Sequence, residues 1–229
     1  MHKLTYRPSS MSVSSNTSRL VIVRHGQTAA NTAKLLHGWT DLPLDETGER
    51  QAQLVAQRIA SEIDAHALIS SPLARARATA GAISNLTGLD VQERPELREM
   101  HFGDLEGFTV ERLQVEHPEI AAQTLDPHNT TLRWPNGDHI HEFYLRTAET
   151  FGAIAEEYAE KTVIVVAHGG VIGGYLRLIS GQPFNAWQTF GLRNCALSIV
   201  EVVDGTPRLI VANDCAHLDD PLALAEEPQ

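Results

Sequence analysis

Two stretches of the sequence share one arrangement, an apolar run that ends in a histidine followed by glycine. Residues 20–23 lead into Arg24-His25-Gly26, and residues 163–166 lead into Ala167-His168-Gly169. Uninterrupted apolar runs of this length indicate strands buried on both faces, as in parallel sheets. Ligands of such sheets bind at the carboxyl ends of the strands. The pattern therefore predicts that two imidazoles and a guanidinium meet at one sheet edge, where they can bind an anion.

The composition of the chain limits its classes of function. With 229 residues, 42% of them hydrophobic and 21% charged, the chain can bury a sizeable core as one large domain. Its formal net charge of -11 argues against nucleic acid or an anionic membrane as a general partner, because the average surface repels phosphate. A small anionic substrate would therefore need a locally basic pocket.

Cysteine content and the first residues indicate the compartment. Cys195 and Cys215 have no metal-binding or redox spacing, and so few cysteines fit a reducing cytoplasm better than a disulfide framework. No apolar run approaches the roughly 20 residues of a membrane-spanning helix. Residues 1–18 are rich in serine and threonine and lack the apolar core of a secretory signal. We therefore expect a cytoplasmic protein with a disordered N-terminal tail, starting at Met1 or Met11.

The remaining pattern predicts one α/β domain over residues 19–217, followed by a C-terminal tail at 218–229. Asp45 is placed to cap a helix whose apolar residues recur at spacings of three and four. A second amphipathic helix is predicted from residue 140 to 158, and a short helical piece within 28–36. Further strands are predicted at 67–70, 91–93, 195–203 and 208–211, the last two joined by a turn at Asp204-Gly205.

Two charged residues follow predicted strands. The strand at 67–70 leads into Ser71-Pro72-Leu73, which predicts a helix with proline in its first turn. Arg75 then lies where free N–H groups and the helix dipole favour anions. Glu99 lies in an acidic loop with several glycines, a type that is usually solvated. Residues 109–138 contain prolines and one short helix near 110–116, which is typical of a lid rather than a separate domain.

Four motifs, taken in order, resemble those of the histidine phosphatase (phosphoglycerate mutase-like) superfamily. They are Arg24-His25-Gly26-Gln27-Thr28 with Asn31, Ser70-Ser71-Pro72-Leu73-Ala74-Arg75-Ala76 with Thr79-Ala80, Leu97-Arg98-Glu99 with Gly103 and Glu106-Gly107, and Ala167-His168-Gly169-Gly170. One such motif is weak evidence, whereas four in the family's order are specific. The resemblance implies a doubly wound, mostly parallel α/β sheet flanked by helices on both faces.

The resemblance also implies the chemistry and the residues that perform it. His25 would be the nucleophile that forms a phosphohistidine, and Glu99 would be the proton donor. Arg24, Arg75 and His168 would form the catalytic phosphate pocket. Further residues implied to bind substrate are Gln27, Thr28, Asn31 and Gly169. Many members of the family have glutamate at the position of Gln27. The resemblance implies no metal ion and no cofactor.

The implied roles are consistent with elementary phosphoryl-transfer chemistry. A phosphomonoester dianion needs positive charge on its equatorial oxygens and a nucleophile in line with the leaving oxygen. Neutral His25 is a competent nucleophile near pH 7, and arginines can supply the charge that Mg²⁺ supplies in kinases. Glu99 can protonate the leaving alkoxide when it is buried beside the substrate. The competing carboxylates are Glu96, Asp104 and Glu106.

Two other classes of function remain as alternatives. His128, Asp138, His139 and His141 lie close in sequence and could hold a metal ion, although His139 and His141 would diverge at a helix start. A non-catalytic protein could bind a phosphorylated ligand without turnover. Such a protein would be expected to have lost the nucleophile or the acid, and both are present.

Within the family, the sequence favours a phosphatase over a phosphoglycerate mutase. A mutase must shield its phosphohistidine from water and needs cationic anchors for a second charged group. Family mutases resembling this chain carry a longer, basic insertion between the acid and the second histidine. Here that stretch has few basic residues, among them Arg112, Arg133 and Arg146. We therefore expect hydrolysis of a small phosphomonoester, with a homodimer as one candidate for the oligomeric state.

The substrate is less defined than the reaction. The variable wall of the pocket is expected to come from Gln27, Trp39, Phe102 and residues 118–141, although Trp39 and Phe102 taken singly are predicted to be core residues. Residues 135–138, Pro-Asn-Gly-Asp, resemble a Pro-x-Gly-Glu turn of related phosphatases, with Asp138 in place of glutamate. Candidate substrates are phosphoglycerate-like acids, sugar phosphates and nucleoside-type phosphates such as α-ribazole phosphate.

Overall fold

The computed structural model describes residues 17–183 and 190–218. Its strands are β1 (Thr17–Arg24), β2 (Ala67–Ser70), β3 (Val91–Glu93), β4 (Thr162–Ala167), β5 (Leu197–Val203) and β6 (Thr206–Asp214). Its α-helices are α1 (Ala29–Thr32), α2 (Glu46–Glu62), α3 (Ala74–Thr87), α4 (Val110–Glu116), α5 (Pro118–Leu125), α6 (Ile140–Glu157) and α7 (Gly169–Ile179). Short 3₁₀ turns lie at Pro95–Leu97, Gly103–Leu105 and Ala216–Leu218.

The strands form one sheet in the order β3-β2-β4-β1-β5-β6. The first four are mutually parallel, and β5 runs antiparallel to both β1 and β6. Side chains of β1 alternate between two core clusters, Leu20 and Ile22 on one face and Val21 and Val23 on the other. Helices α2 and α3 contribute to one cluster, and α6 and α7 contribute to the other. The predicted doubly wound, mostly parallel α/β fold is confirmed.

The register between β1 and β4 brings the two strand-end histidines together. Arg24 lies opposite Ala167, and His25 N donates to Ala167 O at 3.0 Å. Because the two strands are adjacent and parallel, His25 and His168 leave the sheet at the same edge. The sheet thus assembles a pair of residues that are far apart along the chain.

Helix α2 packs its first turn against the turn that follows β1. Asp45 caps the helix, as predicted, by accepting a hydrogen bond from Gly48 N at 2.8 Å. A Cβ atom on Gly26 would lie 2.5 Å from Gly48 O, and one on Gly48 would lie 2.1 Å from Gln27 O. Both positions therefore require glycine, and their close approach supports the backbone beside His25.

Several element boundaries differ from the prediction. Helix α3 begins at Ala74, so Pro72 precedes the helix rather than occupying its first turn. The N-cap residue Leu73 has no side-chain acceptor, and the Asp41 carboxylate accepts from Ala74 N at 2.6 Å instead. The predicted lid contains a second helix, α5, which begins at Pro118. Proline fits that position because the first turn of a helix has no acceptor for its missing N–H.

The ends of the domain also differ in detail. Strand β1 begins at Thr17 rather than at residue 19, and β5 begins at Leu197 rather than at Cys195, whose φ of 54° interrupts the strand. The predicted turn at Asp204-Gly205 is present, with φ values of 49° and 77° that suit a tight hairpin. Of the predicted tails, only Thr17, Ser18 and Leu218 belong to the described residues. The limits of the domain stay predictions.

The described helices include none that is long and apolar enough to cross a membrane. Cys195 and Cys215 are buried and are not joined in a disulfide. The cytoplasmic location and the oligomeric state stay predictions.

Candidate active site

His25 lies at the carboxyl end of β1, buried and in a defined tautomer. Its Nδ1 lies 2.7 Å from Gly26 O. A carbonyl oxygen can only accept a hydrogen bond, so Nδ1 carries the proton and Nε2 keeps its lone pair. Burial lowers the pKa of His25 well below its usual value, and the charges of Arg24 and Arg75 lower it further. The ring is therefore neutral, and its Nε2 can act as a nucleophile.

His168 faces His25 across the sheet edge, with 5.1 Å between the ring centroids. Its Nε2 lies 2.7 Å from Ser71 Oγ, while Nδ1 is buried without a hydrogen-bond partner in the described part of the chain. When the Ser71 hydroxyl donates to Nε2, Nδ1 carries a proton that can be donated to a phosphate oxygen. Burial lowers the pKa of His168 well below its usual value, followed by the effects of Arg75 and His25.

Arg75 lies in the first turn of α3, as predicted, and is fully buried. Its guanidinium donates to the carbonyl oxygens of His37 (3.3 Å), Gly38 (2.7 Å) and Thr40 (3.2 Å). The Nε atom is buried and has no partner within residues 17–183 and 190–218. The loop at 37–40 thus orients the guanidinium and leaves an N–H group for a ligand.

Arg24 is the last residue of β1, and its side chain lies close to the start of α7. Its Nη1 donates to Leu192 O at 2.5 Å, and its Nε is buried without a partner among the described residues. A Cβ atom on Gly169 would lie 3.4 Å from this Nε, an ordinary van der Waals distance, so the start of α7 lies close to the guanidinium. Burial lowers the pKa of Arg24, and the charge of Glu99 opposes this effect. Arginine nevertheless stays protonated, which supplies fixed positive charge beside His25.

Thr28 and Asn31 form a capping box at the start of α1. Asn31 Oδ1 accepts hydrogen bonds from Thr28 N at 3.1 Å and from Asn194 Nδ2 at 3.2 Å. Asn194 also donates to His25 O at 3.0 Å, a role that no feature of the sequence indicated. Because the Asn31 oxygen is engaged, its amide nitrogen is the end available to a substrate.

His37 is a third imidazole at the site, and the sequence did not single it out. Its ring lies edge-on to His25, with 6.2 Å between centroids. Nδ1 donates to Leu35 O at 3.1 Å, and Nε2 lies 3.3 Å from the Thr28 hydroxyl, whose proton is shared with Asn31 Oδ1 at 3.1 Å. Burial, followed by the charge of Arg75, lowers the pKa of His37 to about 4. His37 is therefore neutral and supports Thr28.

Glu99 comes from the loop after β3 and reaches the N-terminus of α7. Its Oε1 accepts from Met100 N at 2.9 Å, and its Oε2 accepts from Gly170 N at 2.8 Å. A Cβ atom on Gly170 would lie 2.3 Å from Oε1, so this contact requires glycine. His168 is the N-cap residue of the same helix. The carboxyl group thus binds the first turn of the helix that the second histidine begins.

The competing carboxylates have other partners. Glu106 accepts from Trp39 N at 2.7 Å, from Thr40 N at 2.8 Å and from the Thr40 hydroxyl. Burial acts to raise the pKa of Glu106, but these hydrogen bonds outweigh it and lower the pKa. Asp104 is exposed and accepts from Asn136 Nδ2 at 2.9 Å. Glu106 therefore holds the loop at 37–40 as an anion, which leaves Glu99 as the better placed proton donor.

Of the residues predicted to form the variable wall of the pocket, Trp39 contacts Glu99, whereas Gln27 and Phe102 have other partners. Gln27 Nε2 donates to the helix cap Asp45 at 3.2 Å, so the contact of Gln27 with substrate stays a prediction. Trp39 is 42% exposed, not a core residue, and its indole N–H donates to Glu99 O at 2.9 Å. Phe102 packs against the core and lies edge-on to Trp134 at 4.9 Å between centroids.

The side chains considered as a metal site, among them Asp138, His139 and His141, do not form a group that could hold a metal ion. Asp138 Oδ2 accepts from His101 N at 3.0 Å, and His139 Nδ1 accepts from His141 N at 3.2 Å. Residues 17–183 and 190–218 contain no group of three or more histidine, cysteine, aspartate or glutamate side chains that could hold a metal ion. The metalloprotein alternative therefore gains no support from the geometry.

We expect the substitution Gly170→Ala to slow turnover by about 10- to 100-fold, because the new methyl group displaces the Glu99 carboxylate from Gly170 N. Thermal stability should change little, since the displaced atoms are the end of a flexible side chain. Phosphatase activity and melting temperature, measured together, test this. Gly81→Ala in α3 is the matched control, since a Cβ there meets nothing within 4 Å. Equal activities of the two variants would contradict the expected placement of Glu99.

Comparison with known sequences agrees with this geometry. The model of the histidine phosphatase superfamily (branch 1) matches residues 20–215. The chain is 35% identical over 209 residues to the probable phosphoglycerate mutase GpmB of Photorhabdus laumondii, which covers 89% of this chain and 96% of that protein. The similarity therefore extends over nearly the whole of both proteins.

Solved structures share the fold. Phosphoserine phosphatase of Entamoeba histolytica, solved in complex with phosphoserine, superposes with a TM-score of 0.79 at 26% identity and covers 88% of this chain and 99% of its own. The α-ribazole phosphatase of Shigella flexneri gives a TM-score of 0.75 at 26% identity, covering 86% and 96%. With its two strand-end histidines, its buried arginines and a family match over most of its length, the chain belongs to the histidine phosphatase superfamily, branch 1.

Proposed function

We propose that the protein is a metal-independent phosphomonoester hydrolase that acts on a small phosphorylated metabolite through a phosphohistidine on Nε2 of His25. One observation carries the proposal, a buried, neutral His25 whose Nδ1–H is engaged by Gly26 O. Arg24 and Arg75 lie beside it, and the Nε atom of each is buried without a hydrogen-bond partner among residues 17–183 and 190–218. The named phosphatases among the solved structures support the same reaction.

The proposed reaction has two steps. In the first, His25 Nε2 attacks phosphorus, the bond to the leaving oxygen breaks, and that oxygen takes a proton from Glu99. In the second, Glu99 takes a proton from water, the water oxygen attacks phosphorus, and the phosphorus–nitrogen bond breaks. Inorganic phosphate and neutral His25 result. Arg24, Arg75 and His168 bind the equatorial oxygens in both steps.

The mutase alternative has one specific observation in its favour, the name of the GpmB relative. The contacts of the arginines between Glu99 and His168 favour hydrolysis. Arg112 pairs with Glu116 at 2.7 Å, Arg133 lies 3.8 Å from Glu142, and Arg146 donates to backbone carbonyls. Arg112 and Arg146 are held by these partners, whereas Arg133 is 61% exposed in a loose pair, so these contacts fix none of the three as an anchor for the second anionic group of a bisphosphorylated intermediate.

The substrate class remains the one given by the sequence, phosphoglycerate-like acids, sugar phosphates or nucleoside-type phosphates. The exposed Trp39 lies against His101, with 4.8 Å between ring centroids, next to the backbone of Glu99. This aromatic surface is placed to contact a leaving group. We propose a cytoplasmic enzyme without a cofactor, and a homodimer is one assembly to test by sedimentation.

A panel of phosphomonoesters tests the proposal. We expect release of inorganic phosphate from several of them and negligible conversion of 3-phosphoglycerate to 2-phosphoglycerate, even with added 2,3-bisphosphoglycerate. The physical reason is that a mutase must retain a second charged group, and the contacts of Arg112, Arg133 and Arg146 fix none of them as an anchor for it. EDTA should leave the rate unchanged.

Three outcomes would overturn parts of this proposal. Efficient isomerisation with little phosphate release would establish the mutase alternative. Activity lost in EDTA and restored by a metal ion would contradict the metal-independent mechanism. Saturable binding of phosphate esters without release of phosphate would indicate a non-catalytic binding protein.

A further inference from the structure

The loop that carries Glu99 spans residues 96–104, which we call the acid loop. It leaves the sheet after β3 and contains only two 3₁₀ turns. A carboxylate that must meet a leaving oxygen at hydrogen-bond distance needs a rigid support. The support of the acid loop therefore decides where the Glu99 carboxyl group lies.

Arg146 of α6 holds the part of the acid loop that precedes Glu99. Its Nη1 donates to Glu96 O at 2.5 Å and to Arg98 O at 2.9 Å. Its Nη2 lies 3.4 Å from Asp138 Oδ2, and both side chains are largely covered, with 26% and 28% of their surface exposed. Burial lowers the pKa of Arg146, and the charge of Asp138 opposes this effect. One guanidinium thus binds two carbonyls and a carboxylate.

Asp138 holds the part of the acid loop that follows Glu99. Its Oδ2 accepts from His101 N at 3.0 Å, and its own N–H donates to His101 O at 2.9 Å. The same carboxylate oxygen also contacts Arg146. Arg146 and Asp138 therefore form hydrogen bonds with the backbone on both sides of Glu99.

Close backbone packing completes the contact between the acid loop and residues 134–138. A Cβ atom on Gly103, whose φ is +56°, would lie 1.9 Å from Pro135 O, and one on Gly137 would lie 2.4 Å from His101 O. Asp104 N donates to Pro135 O at 2.9 Å. The Pro-Asn-Gly-Asp sequence at 135–138, whose role the sequence left open, thus serves as a backbone support for the acid loop.

We propose that Arg146 and Asp138 are positioning residues that hold the Glu99 carboxyl group in line with the leaving oxygen. The inference rests on the proposed function, because it needs Glu99 to be the proton donor. Neither residue has to touch the substrate. Loss of either residue should slow the same step as loss of the Glu99 proton. The reduction in rate should be large only for substrates whose leaving group needs that proton.

A double-mutant cycle tests the proposal. Arg146→Gln and Asp138→Ala are each combined with Glu99→Gln, and single-turnover rates are measured with an alkyl phosphate and with p-nitrophenyl phosphate. We expect each single variant to lose about tenfold on the alkyl phosphate and clearly less on the aryl phosphate. In the Glu99→Gln background, neither change should reduce the rate further. Arg146→Lys should restore part of the rate, since an ammonium group can still donate to the carbonyls.

Arg94→Gln is the matched control, because the Arg94 side chain pairs with Glu157 of α6 at 2.6 Å. The hydrogen bond from Leu97 N of the acid loop to Arg94 O, at 3.0 Å, uses the backbone, which the substitution keeps. It should retain the wild-type rates. Equal losses on both substrates, or losses that add in full to that of Glu99→Gln, would overturn the positioning role. If the wild type hydrolyses no phosphomonoester, the proposed function fails and this inference fails with it. A selective loss in Glu99→Gln without one in the other variants would overturn the positioning role alone.

Discussion

The His25→Ala variant is expected to release phosphate roughly 10⁴-fold more slowly than the wild type, and to carry no covalent phosphoryl group during turnover. Alanine removes the buried, neutral imidazole whose Nδ1–H is held by Gly26 O, an arrangement that leaves the lone pair on Nε2. Arg24, Arg75 and His168 would still bind phosphate. Substrate binding should therefore survive while the first displacement is lost.

Rapid quenching at alkaline pH with a ³²P-labelled substrate measures the intermediate. The wild type should carry a base-stable, acid-labile label on Nε2 of His25, and ³¹P NMR of the digested protein can distinguish Nε2 from Nδ1. His66→Ala, a substitution of an exposed histidine before β2, is the control and should label normally. Label that persists in His25→Ala would rule out the proposed nucleophile.

The second large effect is expected for Glu99→Gln, with turnover of alkyl phosphates reduced by about 10²-fold or more. Glutamine keeps the size of the side chain but removes the transferable proton. It also replaces one of the two oxygens that accept hydrogen bonds from Met100 N and Gly170 N by an amide nitrogen, which can only donate. An aryl phosphate should suffer less, because its leaving group hardly needs a proton.

Single-turnover rates with matched alkyl and aryl substrates separate these effects. Glu96→Gln changes an exposed carboxylate on the same loop and should leave both rates near those of the wild type. Losses of equal size on the two substrates in Glu99→Gln would show that Glu99 acts through structure alone. Retention of the alkyl rate would direct attention to another proton donor.

Much of the fold could be predicted from the sequence because its causes are local. Apolar runs at 20–23 and 163–166 predict buried strands, and each run ends where a histidine follows. Asp45 predicts a helix start through its own hydrogen bond to Gly48 N. The motifs around His25, Arg75, Glu99 and His168 also carry the family resemblance, so the main site residues could be named before their positions were known.

Local boundaries were harder to predict where a distant group supplies the missing partner. Helix α3 starts at Ala74, after Pro72, because Asp41 caps it from 33 positions away. The proline-containing segment predicted to be a lid with one short helix also forms α5, since Pro118 is tolerated at a first helical position. Trp39 was expected in the core, yet it is exposed beside Glu99.

The sequence by itself determined which residues are proposed to carry the chemistry, because strand ends, helix starts and glycine turns are encoded in short segments. Only the tertiary structure decided how those residues are held. Ser71 forms a hydrogen bond with His168, 97 positions away in the sequence, and Asn194 donates to His25 O, 169 positions away. Arg146 donates to the carbonyl of Glu96, 50 positions away. Such contacts use serine, asparagine and arginine, which occur throughout the chain, and they form only when the sheet and helices bring distant segments within hydrogen-bond distance.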